Sequence, residues 1–260
     1  MITLATGTNP TKIGGSRDKL VPWLQQLLDG YRRQAPPTIK KLPVEVYVVE
    51  FLVKLGEDAK STQLQSTTGW LTMVSFFYLL QVGEYTMKAS CNSTKQTVPF
   101  KMEDVTFFGK MASGQLRQLS RAATAHEILG ASSATLKLDN QKNGWKGLCI
   151  HQEATGNAIT CPVLALAKQY IHIRDNTNDF STPLAEYFLD DERYNLADKD
   201  VSAALKLAAT ILQYPETKGI PVERVDTHSL RSGGANSLSL SVYSYTQIQK
   251  MGRWRGATFK

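Results

Sequence analysis

From Trp70 to Leu80 the chain reads WLTMVSFFYLL, an apolar run flanked by the polar Gln65, Ser66, Gln81 and Glu84. It is too short to cross a bilayer. A helix that is apolar on nearly every side must be buried on nearly every side, so the spacing predicts a central core helix over about Thr67 to Gln81. Other elements have to pack around it, and the membrane is excluded as a partner.

The remaining sequence fits that plan. With 260 residues, 42% hydrophobic and 20% charged, the composition is that of a soluble globular chain with one sizeable core, or one domain and part of another. Leu20, Leu24, Leu27, Leu28 and Tyr31 recur at helical spacing, with Gly30 and the following Arg32 and Arg33 predicted to end that helix. RRQAPPTIKKLP, from Arg32 to Pro43, resists regular structure. It reads either as a surface connector or as a basic strap against phosphates, with Arg32, Arg33, Lys40 and Lys41 as the contacts. Pro43 is placed to open a helix that Gly56 would cap.

Downstream, Val98 to Phe108 is β-prone, and Ala112 to Arg121 carries no strong signal. Ala134 to Asp139 and Gly147 to Gln152 alternate as paired strands, and Asn143-Gly144 suits the tight turn between them. Helices are expected over Cys161 to Ile173 and Val201 to Leu212, the second with Asp200 as N-cap. The expected fold class is mainly α with a small antiparallel β-sheet.

Charge and cysteines narrow the function. Lys plus Arg outnumber Asp plus Glu by 30 to 23, for a net charge of +7. Between Pro221 and Lys260 six bases (Arg224, Arg231, Lys250, Arg253, Arg255, Lys260) face two acids (Glu223, Asp226). Such a bias suits a polyanionic partner, and it also suits a plain solvated surface. Cys91, Cys149 and Cys161 lack disulfide or zinc spacing. Reduced thiols and the lack of a secretory leader point to an intracellular setting, nuclear if the host is eukaryotic.

One string stands out, HSLRSGGA from His228 to Ala235. On a helix His228 and Arg231 share a face and can grip one anion from two sides, the arginine with its planar fork and the histidine with a donor or a proton. Gly233 and Gly234 let backbone or ligand approach closely. Without its neighbours the string reads as a helix end with incidental polar residues.

In its full form the string resembles the H-x-L-R motif of the tyrosine recombinases, or site-specific integrases, most of all those of eukaryotic cryptons and related retroelements. Gln141-Lys142-Asn143-Gly144 resembles that family's hairpin with a general-acid lysine. Met251-Gly252-Arg253-Trp254 resembles the segment ahead of its nucleophile. The resemblance runs from roughly Pro43 to the end. It implies the DNA breaking-rejoining catalytic fold over 43–260, preceded over 1–42 by the remnant of a helical core-binding domain and a linker.

It also implies double-stranded DNA as partner, no metal or nucleotide cofactor, and Lys142, His228, Arg231, Arg253 and Trp254 around the scissile phosphate. Lys146 and Arg255 join the strap bases as further DNA contacts. Arginines and a lysine suit the negative charge that builds on phosphate oxygens during strand cleavage.

Two departures bear on activity. Where the family has L-L-R-V-G-E, this chain has Leu79-Leu80-Gln81-Val82-Gly83-Glu84, so a neutral amide replaces the first arginine and Glu84 loses its cation. The tyrosine nucleophile would fall just beyond Lys260, and Tyr243 and Tyr245 lie at the wrong spacing. The expectation is a mobile-element domain, truncated and catalytically defective, that binds DNA without cutting it. It would be a monomer in free solution and oligomerise, if at all, on DNA.

Two other readings stay open. One is a helical regulatory or protein-interaction module on a decayed recombinase fold. The other is an enzyme acting on a small phosphorylated substrate, which would lack a nucleotide-binding glycine loop or metal-ligand cluster, with His126, His151 and His172 scattered through separate elements.

Overall fold

A computed structural model describes residues 21–34, 41–87, 97–138 and 147–254. The chain divides into two units, residues 1–40 and 41–260. In the first, the described residues form helix α1 (Pro22–Gln34), opened by a proline whose missing N–H has no role there. The expected stop at Gly30 does not occur. The helix runs through it, since glycine only weakens a helix interior.

In the second unit, α2 (Val46–Glu57) packs against α3 (Gln63–Phe77), the apolar run of the sequence. From Ser66 to Phe76 every residue of α3 except Trp70 is buried, as predicted. Three of its small polar side chains bond within their own helix, Thr68 Oγ1 donating to Leu64 O at 2.6 Å, Thr72 Oγ1 to Gly69 O at 2.9 Å and Ser75 Oγ to Thr72 O at 3.0 Å, while Ser66 Oγ donates across to Gly56 O at 2.5 Å. No hydroxyl there needs water. Pro43 precedes α2 and does not open it, Glu45 being the N-cap. Gly56 lies inside α2, where a Cβ would sit 2.7 Å from Gln65 O, so it serves helix contact and not capping.

The central helix is as long as predicted but begins and ends about one turn earlier, at Gln63 and not Thr67. It stops at Phe77, Leu79 takes a left-handed φ of 51°, and Gln81 becomes the N-cap of the single turn α4 (Val82–Tyr85). Gln81 therefore sits beyond a reversal of the chain, not on the last turn of α3.

Strands β1 (Val105–Lys110) and β2 (Leu116–Gln118), helix α5 (Ala125–Leu129), and strands β3 (Ser133–Lys137) and β4 (Cys149–Glu153) follow. The strands form an antiparallel sheet in the order β2-β1-β3-β4. The predicted pair is there, with Leu136 opposite Ile150, while its turn, including Asn143-Gly144, lies outside the described residues. Ala134 and Leu136 face the core, and Tyr78 Oη donates to Ala134 O at 3.1 Å, tying the sheet to the end of α3.

Helix α6 (Pro162–Asn176) packs along α3. A second small sheet, beyond the predicted elements, pairs β5 (Glu186–Leu189) with β6 (Glu192–Asn195). Its turn residues Asp190 and Asp191 both have positive φ, the job glycine or asparagine usually signals. In α7 (Asp198–Ile211) the N-cap is Ala197, and the predicted cap Asp200 works from the first turn, accepting from Ala197 N–H at 3.0 Å. The short α8 (Tyr214–Lys218) leads to α9 (Thr227–Leu240) and α10 (Tyr245–Met251). No helix among the described residues is long and apolar enough to cross a membrane.

Helix α9 carries HSLRSGGA and runs straight through both glycines. A Cβ on Gly233 would lie 2.0 Å from Val44 O, and one on Gly234 would lie 2.2 Å from Phe76 O. It is backbone that approaches them, and they let α9 lie against α3. In an open helix Gly→Ala stabilises by roughly 0.5–1 kcal/mol. At position 234 the sign should reverse: Gly234→Ala is expected to lower the denaturant-unfolding free energy by about 3 kcal/mol, the upper end for overpacking. An unchanged or raised midpoint would contradict this contact.

Candidate phosphate-binding site

Asp226 caps α9, its Oδ1 accepting from His228 N–H at 2.8 Å and its own N–H donating to Ser229 Oγ at 3.1 Å. His228, in the first turn, is exposed. One turn on, Arg231 is half-buried and lies over the Trp254 ring, with its guanidinium carbon 4.7 Å from the centroid. Its Nη2 donates to Gly252 O. Gly252 has no Cβ to block the indole, which folds back to where a side chain would start. Arg231 Nε is buried without a hydrogen-bond partner among the described residues. Burial, helped by the neighbouring Arg253 and opposed by Glu84, pushes the Arg231 pKa down to about 10.

Arg253 departs from expectation. The resemblance puts it at the phosphate, yet it is 3% exposed and its Nη2 pairs with Glu84 Oε2 at 2.7 Å. The same nitrogen donates to Leu79 O at 3.2 Å, and Nη1 donates to Tyr78 O at 3.4 Å and Met251 O at 3.2 Å. Its backbone, at φ 56°, is in the left-handed region that residues with a Cβ seldom adopt. The Arg253 side chain is thus a strut of the protein. Its partner Glu84 is fully buried and also accepts from Gln81 N–H at 2.8 Å. Glu84 has not lost its cation, as expected from the neutral Gln81; Arg253 supplies one from far along the chain.

Burial pushes the Glu84 carboxyl above its usual range, against Arg253, the Gln81 N–H and Arg231, which pull it down. Burial likewise lowers Arg253, against Glu84. In both partners desolvation outweighs pairing, as is usual for buried ions.

The structure thus brings Gln81, Glu84, Arg231, Arg253 and Trp254 to one place, with His228 a helical turn away on α9. Among the expected residues Lys40, Lys142, Lys146 and Arg255 lie outside the described residues, as do the side chains of Arg32 and Arg33 on α1. Lys41 donates to Glu223 O at 2.8 Å and pairs with Asp226 at 3.5 Å. The roles of Glu84 as counter-ion and Asp226 as cap were missed in the sequence. Asp226-Thr227-His228-Ser229 is a legible capping pattern, whereas nothing local marks the Glu84 pairing.

The other histidines stand apart. His126 and His151 are exposed, and His172 Nε2 accepts from Phe188 N–H at 3.0 Å. Cys149 and Cys161 are unpaired thiols. No group of three His, Cys, Asp or Glu among the described residues could hold a metal ion. A cavity of about 760 Å³ lined by Lys110, Ser132, Glu153, Asn157 and Cys161 shares no residue with the arginine cluster. The convergent cations, not the cavity, mark the candidate site.

No family model and no curated protein matches the chain. Among solved structures it is similar to the Tn1549 transposon integrase in complex with transposon right-end DNA, at 10% identity and a TM-score of 0.41, over 86% of this chain. The match spans 60% of that chain's length. At that identity and overlap it is the side chains, and not the likeness, that bear on function.

Arg253→Met would strand the Glu84 carboxylate and is expected to cost about 3–5 kcal/mol of stability. Without its cation Glu84 titrates higher still. A carboxyl whose folded pKa is raised contributes stability at low pH that is lost as pH rises through that pKa. The variant's deficit should therefore grow between about pH 5 and pH 8, and Glu84→Gln in the same chain should recover part of it. Unfolding curves at both pH values check this; a deficit independent of pH would rule out the ion pair.

Proposed function

We propose that this chain is a DNA-binding domain of tyrosine-recombinase type, from a mobile element, that grips a backbone phosphate and is impaired in cutting it. The observation that carries the reading is the charge balance at the site. Of the two guanidinium groups near Glu84 only Arg253 pairs with that carboxylate, and Arg231 Nε has no hydrogen-bond partner among the described residues. A half-buried cation without a counter-ion favours an anion in its place. The H-x-L-R string gives that anion a class, a phosphodiester. Arg231 would hold two of its oxygens and His228 would reach another, with Trp254 fixing the plane of the guanidinium.

The impairment rests on Gln81. A neutral amide gives a weaker hydrogen bond than a guanidinium, and the loss of one donor to the transition state costs roughly 10²- to 10³-fold in rate. Arg253 does not replace it at the phosphate, because Glu84 and three backbone carbonyls hold its side chain. Lys142 keeps the leaving-group role that the resemblance implies.

One observation favours the interaction-module reading. Arg231 already donates to Gly252 O, so it also serves as an internal strut. Anisotropy titrations of duplex DNA at several salt concentrations separate the two. The phosphate reading expects affinity that falls steeply with salt, and a loss of about tenfold or more in Arg231→Ala with a retained cooperative melt. Absent binding at low salt, or binding indifferent to Arg231→Ala, would favour the interaction module.

A further inference from the structure

We infer that residues 41–45 form a strap that sets the first turn of α9, with Lys41 a positioning residue for His228 and not a phosphate contact. This rests on the proposed phosphate-gripping role of α9. The strap lies across the start of that helix. Leu42 N–H donates to Arg224 O at 3.0 Å, and Val44 N–H donates to Ser229 O at 3.2 Å. Between them stands Pro43, which has no N–H to offer and whose fixed φ suits an extended crossing. Val44 is 1% exposed, and its carbonyl occupies the space that a Gly233 side chain would need.

At the next residue Glu45 N–H donates to Tyr214 Oη at 3.1 Å, and the Glu45 carboxylate pairs with Lys218 at 2.9 Å. Both ends of the strap are therefore anchored.

Lys41 acts on the cap itself. Its ammonium reaches Glu223 O and Asp226 Oδ2, while Asp226 Oδ1 accepts from His228 N–H. One carboxylate thus joins the strap lysine to the histidine backbone, one oxygen for each. Fixing the carboxylate fixes the first turn from which the imidazole projects. The lysine that the sequence offered as a DNA contact has its charge engaged inside the protein. The Lys41–Asp226 pair is partly shielded, with 35% and 20% of the side chains exposed, so it keeps part of its strength in salt.

Two readouts on the whole chain test this. In Lys41→Met, amide hydrogen exchange at His228 and Ser229 should quicken about three- to tenfold, with α3 amides unchanged, and Lys41→Arg should restore protection. DNA affinity should fall about two- to fivefold, while the slope of log K against log salt stays as in the wild type. A direct phosphate contact would lower that slope by about 0.9. Unchanged exchange at His228 and Ser229, equal acceleration in α3, or a reduced salt slope would each overturn the inference. If exchange quickens locally but the wild type binds no DNA, the strap stands and the phosphate-gripping reading falls.

Discussion

A single buried guanidinium holds the candidate site together. Arg253 reaches back 169 residues to Glu84 and donates to Tyr78 O and Leu79 O, where α3 has stopped and its carbonyls lack helical partners. Leu79 and Arg253 both take left-handed backbone, so two strained turns face each other across one side chain. The result is a fixed place for Gly252 and Trp254, and so for Arg231, which bonds one and stacks on the other. Removing either ion would leave the other buried and unmatched, a larger loss than the pair's net worth.

Much of the frame could be read from the sequence because the cues are local. An all-round apolar run gave the buried helix, alternation gave the β3–β4 pair, and His228 with Arg231 at helical spacing gave a shared face on α9. Glycine was harder to read. At positions 56, 233 and 234 a stop signal and a close-packing signal look the same, and only the backbone 2–3 Å away in space tells them apart. The asparagine-glycine rule also missed the β5–β6 turn, where two aspartates take positive φ. Arg253 was misread because its pairing with Glu84 has no local pattern, whereas Gln81-x-x-Glu84 misled by implying an unpaired carboxylate.

The arrangement seen here has one half-buried arginine, Arg231, bonded to Gly252 O and stacked on Trp254, and a second, Arg253, held by Glu84 behind it. A phosphate could be held there by charge and by the His228 turn. Strand cleavage asks for more donors around the same oxygens as charge builds, and at position 81 an amide stands instead. On the proposed reading, binding with weakened chemistry would follow from the neutral Gln81 and from the holding of Arg253 by Glu84.

Nitrogen-15 NMR of the arginine Nε–H groups during titration with a short DNA duplex tests the central claim most directly. The account expects the Arg231 Nε–H signal to shift as DNA saturates, while that of Arg253, whose guanidinium is held by Glu84 and three backbone carbonyls, stays where it was. An Arg231 signal that does not move at saturating duplex would contradict the account, because the half-buried charge would then be answered from within the protein.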